Sequence, residues 1–363
     1  MYSETDLEAA VAAGALSAEQ AQKFRDYVAG SRAAPAVDEE HFRLLTGFND
    51  IFVSIAAVIL LVALAWIGQS IGPKIEGNGP SPMMGLLVAA AAWGLAEFFT
   101  RKRRMALPSI LLLLAFVGGV FATAGFTLVL AVGEENFDNN ATLGGLVLAG
   151  AAAVATAAAW LHWKRFRVPI TIAAGAAAVV GLVLALIAAA VGDTPQLENI
   201  MLGFALLLGV GVFLFAMWWD ASDPTRQTRR SDVAFWLHLL SAPLIVHPVF
   251  VLLGLTEGTA STGEAFLVIA LYLALGFTAL AIDRRALLVS ALAYVLYALN
   301  QLFQNYGAVE LSFALTALVI GSALLLLSAF WHSARRGVVR TLPATLQTKL
   351  PVVDRGPVMA AAT

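Results

Sequence analysis

Ten apolar runs of 17 to 26 residues, each free of Lys and Arg, alternate with short polar connections along most of the chain. They cover Ile51–Ser70, Met84–Thr100, Leu107–Val132, Thr142–Leu161, Val168–Val191, Asn199–Trp219, Val233–Gly254, Ala265–Ile282, Ala286–Phe303 and Val309–Trp331. At a rise of about 1.5 Å per residue, about 20 apolar residues carry a helix across a bilayer core of about 30 Å. The pattern therefore predicts an all-α fold: a polytopic transmembrane helical bundle of about ten spans over residues 48–332. The turns joining spans 8, 9 and 10 are tight enough to require antiparallel hairpins.

The flanks read differently. In residues 1–47, Ser3 with Asp6 and Ser17 with Gln20 have capping-box spacing. The two helices they start would end near Gly14 and Gly30, which predicts a helical-hairpin head and linker with too little apolar area to be stable alone. Residues 333–363 are basic, interrupted by Pro343, Pro351 and Pro357, and predict a disordered tail attracted to anionic headgroups.

Charge orients the bundle. Of 22 Lys and Arg, all but Lys74 fall in the head, the even-numbered connections or the tail. By the positive-inside rule both termini are cytoplasmic and the odd connections face outward. The outer connections are acidic; GEENFDNN, Gly133–Asn140, offers oxygen donors to a hard cation, but its spacing matches no calcium loop and it reads as a solvated acidic loop. The first apolar run begins after about 47 polar residues, so no cleavable signal peptide is expected. The basic turns RKRRMALPSI, KRFRVPITIA and DRRALLVSAL resemble one another, which suggests stacked hairpin units.

Composition narrows the chemistry. The chain is 60% hydrophobic and 13% charged, and it has no cysteine, which removes disulfides, thiolate catalysis and thiolate metal sites. Ionisable residues inside a span usually mark coupling to ions or protons. Here none lies near a span centre, which disfavours a carboxylate-based transporter and a voltage sensor. Asp50, with Arg43 as partner, and Glu97, four residues before Arg101, read as boundary groups. His162 and His332 sit beside tryptophans at span ends and read as interfacial anchors.

His238 and His247 lie within span 7, whose prolines Pro243 and Pro248 predict a kink. Nine residues apart, they stand about 13 Å along and about 180° around a straight helix, too far to share a metal. Counting from the inner boundary puts His247 level with Asn300 of span 9, where Tyr294, Tyr297 and Gln301 form one stripe and Asn300 and Gln304 another. The candidate ligand-binding group is therefore His247, Tyr297, Asn300, Gln301 and Gln304 in the outer half. It reads either as interhelical hydrogen-bonding glue or as a pocket open to the outside. No catalytic residue, metal or cofactor is assigned, and no motif calls for nucleic acid.

The stretch AAGALSAEQAQKF, Ala12–Phe24, followed by apolar hairpins with RR-type turns, resembles uncharacterised polytopic bacterial membrane proteins known only as domains of unknown function. The resemblance implies a multi-pass protein of the bacterial inner membrane without an assigned activity. The reading favoured is a non-enzymatic structural, assembly or sensing protein, its head available for self-association or a cytoplasmic partner and its bundle for the lipid bilayer. The alternative is a transporter, channel or lipid-handling protein using the pocket between spans 7 and 9.

Overall fold

The computed structural model describes residue 7 and residues 10–31, 48–138, 140–224, 226, 228–254, 262–305, 311–348, 350–351 and 353. Every regular element among them is helical, and the chain divides into two compact units, Met1–Phe42 and Arg43–Thr363.

In the first unit, Gly14 adopts a left-handed φ of 71°, and the Ala15 N–H reaches the Ala10 carbonyl at 2.9 Å, closing a glycine-ended helix. Helix α1 (Ala18–Ser31) opens with the predicted capping box. Ser17 N–H donates to Gln20 Oε1 at 2.9 Å, and Gln20 N–H donates to Ser17 Oγ at 3.1 Å. The Ser3–Asp6 cap and the linker lie outside the described residues.

The second unit runs α2 (Phe48–Ser70), α3 (Pro82–Ala96, continued by a π-helical turn over Glu97–Lys102), α4 (Ala106–Val132) and the short α5 (Glu134–Asp138). It goes on through α6 (Ala141–Phe166), α7 (Ile170–Val191), α8 (Leu197–Ala221), α9 (Arg229–Leu252) and α10 (Thr262–Ile282). Then come α11 (Ala286–Asn305), α12 (Ser312–Ala329), α13 (Trp331–Thr341) and α14 (Ala344–Gln347). Eight of these are long and apolar enough to cross a membrane, and α10 and α11 add shorter apolar stretches. Phe52, Ile59, Trp66, Leu207, Leu214, Phe313 and Leu325 are all more than half exposed on outward faces. Apolar surface on this scale is stable only against lipid, so the chain is a membrane-embedded helical bundle.

Association in lipid depends on close contact rather than on water exclusion. The interior is accordingly rich in alanine, with Ala89, Ala92 and Ala96 of α3 packed on Leu112 and Phe116 of α4. Glycine brings helix backbones together at one point in each of three hairpins. A Cβ on Gly85 (α3) would lie 2.5 Å from the Gly119 carbonyl oxygen (α4), and one on Gly145 (α6) 2.6 Å from the Ala189 nitrogen (α7). On Gly209 (α8) it would lie 2.9 Å from the Leu244 carbonyl oxygen of α9. That carbonyl is the one Pro248 leaves without its i+4 donor, so the close approach occurs where the helix backbone is under-bonded.

The four hairpins α3/α4, α6/α7, α8/α9 and α10/α11 turn through basic segments, each holding one left-handed non-glycine residue among the described residues. These are Arg104, Arg167, Arg226 and Asp283, with φ of 54°, 56°, 53° and 57°. All four turns share one end of the bundle, here called the basic end. Arg165 grips Glu97 across the first two (2.7 and 2.8 Å), Trp163 packs against the core cluster that includes Val233 near the third, and Arg226 meets Asp283 of the fourth. Cations stack on rings along this end: Lys164 lies 3.7 Å from the Trp160 centroid, Arg167 5.6 Å from Trp163 and Arg285 4.9 Å from Trp331.

Three expectations need correction. The tail starts as a helix, α13, because Trp331, Arg335 and Val339 recur at i, i+4 and i+8 and all three are buried. Residues 354–363 lie outside the described residues. His162 is no interfacial anchor: it is fully buried among Trp93, Phe116 and Phe166, with Nδ1 3.2 Å from Thr171 Oγ1. The acidic stretch after Gly133 is helical rather than a loop, and Phe137 of α5 lines a cavity of about 270 Å³ with Phe121 and Phe126 of α4.

Candidate functional site

The helices that carry the predicted outer group, α9 and α11, are neighbours: Val246 and Phe250 pack with Ala291, Val295 and Ala298. The partner of His247 is nevertheless Tyr294, Nδ1 to hydroxyl 2.6 Å, with the Tyr294 ring stacked on Phe250 at 4.4 Å. His247 and Tyr297 are exposed on the bundle surface, and Asn300 and Gln304 are half-buried. The side chain of Gln301 lies outside the described residues. The register differs from the expected one because the two helix paths are not equivalent. At the basic end Arg284 donates to the Ser231 carbonyl at 3.1 Å. From there His247 lies 16 residues along α9, whereas Tyr294 lies ten along α11. The longer path, interrupted by Pro243, brings His247 to a shallower partner than equal rise predicts.

The densest polar chemistry lies at the basic end instead. Asp220 ends α8 with its side chain 1% exposed and accepts from Arg284 Nε at 3.2 Å and from Arg284 Nη2. His238 of α9, completely buried, presents Nε2 to the same carboxylate at 3.0 Å and its ring edge to Phe213 at 5.3 Å. Among the described residues its Nδ1 has no partner. Ser241 Oγ donates to the His238 carbonyl at 3.0 Å, a local bond within the proline-containing helix.

The α8–α9 turn supplies the next layer. Asp223 Oδ2 accepts from Thr228 N–H at 2.9 Å and from its hydroxyl at 2.7 Å, while Thr228 Oγ1 caps α9 by accepting from Arg230 N–H. The left-handed Arg226 between them aims its guanidinium at the end of α10. It donates to Asp283 Oδ2 at 2.7 Å and to the carbonyls of Ile282 and Asp283 at 3.1 and 3.2 Å. A cation on the terminal carbonyls of a helix is favoured by the helix dipole. Burial pulls the Arg226 pKa down, against the opposing pull of Asp283 and Asp220.

Asp283 carries the connection to the tail. Its Oδ1 accepts from the Trp331 indole N–H at 2.7 Å and lies 3.7 Å from Arg335 Nε. Arg335, 1% exposed, also donates to the Pro351 carbonyl at 2.6 Å. Burial alone would raise the Asp283 pKa, but Arg226, Arg335, the Trp331 N–H and Arg284 together hold it below the ordinary carboxylate value. Asp220 and Asp283 thus face Arg226, Arg284 and Arg335, with buried Asp223 alongside bonded to Thr228. Unpaired, any of these charges would carry a desolvation penalty of several kcal/mol; matched, they hold α8, α9, α10, α11 and α13 in one register.

Sequence reasoning missed this cluster because Asp220, Arg226, Asp283 and Arg284 each look like ordinary residues of a polar turn. The available signal was the pairing of an acid with a buried-helix histidine 18 residues on, and a tryptophan–arginine pair at i, i+4 just past the last span. Comparison with protein-family models, with curated proteins and with solved structures returns no match to this chain.

Proposed function

We propose that this chain is a non-enzymatic, multi-pass protein of the bacterial inner membrane, with about ten spans and both termini cytoplasmic, that works as a membrane sensor. On this reading the basic end is cytoplasmic, by the distribution of Lys and Arg. The buried charges there form a relay between the spans and the tail helix α13. The observation that carries the reading is the burial of Arg335 and Trp331 of α13 against the single carboxylate of Asp283. A segment beyond the last span is tied to two hairpins through charges that are costly to bury unless their geometry is kept. The head, with its own cap and core, is then the unit available to a second copy or a cytoplasmic partner.

A transporter or lipid-handling role for the α9–α11 seam draws on one observation, the His247–Tyr294 bond. The two readings separate in a strain deleted for the gene and scored by growth and lipid profile. Trp331→Phe keeps the ring but removes the donor to Asp283, and it is expected to abolish complementation at normal membrane abundance, whereas His247→Ala with Asn300→Ala complements. The opposite pattern overturns the relay and favours the seam.

A further inference from the structure

A cavity of about 200 Å³ lies between α10, α11 and α12 at the basic end, beside the ionic network. One wall runs from Arg285 to Leu292 and the antiparallel wall from Leu324 to Trp331. Each spans eight residues, seven steps of helical rise, hence about 10 Å deep. Below the first turn the walls are apolar, formed by Leu288 and Leu292 against Leu324, with Tyr272 of α10 closing one side. Exposed Val289 and Ser328, also in the lining, open it onto the outer surface of the bundle. At the top, the Arg285 guanidinium lies 4.9 Å from the Trp331 ring centroid, and the Trp331 indole N–H is given to Asp283.

We infer that this cavity binds an anionic phospholipid, its phosphate beside Arg285 and the first part of one acyl chain between Leu288, Leu292 and Leu324. The inference rests on the relay reading and names the signal that the relay receives. The two halves of the cavity select the ligand together. A free phosphate gains nothing from apolar walls, and a zwitterionic lipid, whose phosphate is offset by its own ammonium, gains less from a guanidinium than an anionic one. Basic pockets between spans on the cytoplasmic side are suited to anionic headgroups, and tryptophan and arginine belong at headgroup depth. The volume is below the ~300–1,000 Å³ of sites that enclose a whole ligand, which fits a lipid held by its upper part with the remainder in the bilayer. Trp331, which lines the cavity, is bonded to Asp283, and Arg285 directly follows Arg284, so an occupant touches one member of the relay and the chain neighbour of another.

The test uses the purified full chain in a neutral detergent, with native mass spectrometry and thermal unfolding as readouts. Phosphatidylglycerol and phosphatidylcholine of identical acyl chains are compared, with inorganic phosphate as the third probe. Phosphatidylglycerol is expected to be retained and to raise the unfolding temperature more than phosphatidylcholine, while phosphate alone has no effect. Arg285→Gln removes the preference between the two lipids, Arg285→Lys keeps it, and Val289→Trp, which fills the mouth of the cavity from an exposed position, reduces retention of both. Equal effects of the two lipids on the unaltered chain, a preference that survives Arg285→Gln, or a shift reproduced by phosphate alone each overturn the inference. A lipid preference that the unaltered chain shows and Arg285→Gln abolishes, combined with full complementation by Arg285→Gln, would leave the site standing and remove the sensor reading.

Discussion

Asp283 accepts from Arg226 on one carboxylate oxygen and from the Trp331 indole on the other, each at 2.7 Å. One side chain therefore joins the α8–α9 turn to the helix that follows the last long apolar helix. Its backbone supports this: with φ of 57°, Asp283 ends α10 in the left-handed conformation and lets the Arg284 N–H reach back to the Ala279 carbonyl at 2.9 Å.

The bond has a pH signature. The folded-state pKa of Asp283 lies below its unfolded-state value of about 3.9, because Arg226, Arg335 and the Trp331 N–H outweigh the raising effect of burial. Its stabilisation is therefore fully present above the unfolded value and is lost as pH falls through the folded one. Thermal stability should fall on acidification in the unaltered chain. In Asp283→Asn the curve should start lower at neutral pH and lose that part of its acid slope.

Asp220 and Arg284 should behave as a coupled pair. Removing one partner of a buried ion pair typically costs about 3–5 kcal/mol, mainly by stranding the other charge. Asp220→Ala and Arg284→Ala are each expected to destabilise by that order, with the double variant far less damaging than their sum. Denaturation in detergent micelles measures this double-mutant cycle, and additive losses would show that the pair is not coupled.

The glycines predict a contrast within one helix. Gly85→Ala places a Cβ 2.5 Å from the Gly119 carbonyl and is expected to lower the unfolding temperature by forcing α3 from α4. Gly94→Ala, on the same helix with nothing within 4 Å of the new Cβ, should be neutral or slightly stabilising.

The proposed orientation is open to direct labelling, because the chain has no cysteine and any introduced one is unique. A thiol at Ser222 or His332, at the basic end, should be protected from a membrane-impermeant reagent in intact cells. One at Asn78 or Asp193, in the opposite connections, should react. Reversed labelling would invert the topology.

How much of this was legible from the sequence differed by element. Helix positions were, because runs such as Leu107–Val132 hold no charged residue and carry their one proline, Pro108, in the first turn, where a helix tolerates it; the structure gives Ala106–Val132. So were interactions closed within one turn: the Ser17–Gln20 box, and Glu97–Arg101, which forms at 3.3 Å even though the backbone there is π-helical. The contacts of Asp220 were not, since Arg284 is 64 residues away and nothing local distinguishes it from any other turn arginine. Adjacency of α9 and α11 was a condition of the pocket reading that the sequence left open, and the pairing of His247 was not foreseen, because rise counted along a helix interrupted by Pro243 overstates its depth. The tail helix was hidden by its charge: Arg335 breaks the apolar stripe on which helix prediction depends, and only its buried partners make it part of the core.

The relay is tested most directly by hydrogen–deuterium exchange across residues 331–341 of the purified full chain. Asp283→Asn removes the contact to α13 itself, whereas Asp220→Asn alters a residue whose described bonds go to His238 and Arg284. If the buried charges act as one unit, exchange in α13 rises in both variants while α2–α4 keep their protection. A rise confined to Asp283→Asn, with α13 unchanged in Asp220→Asn, would contradict the relay.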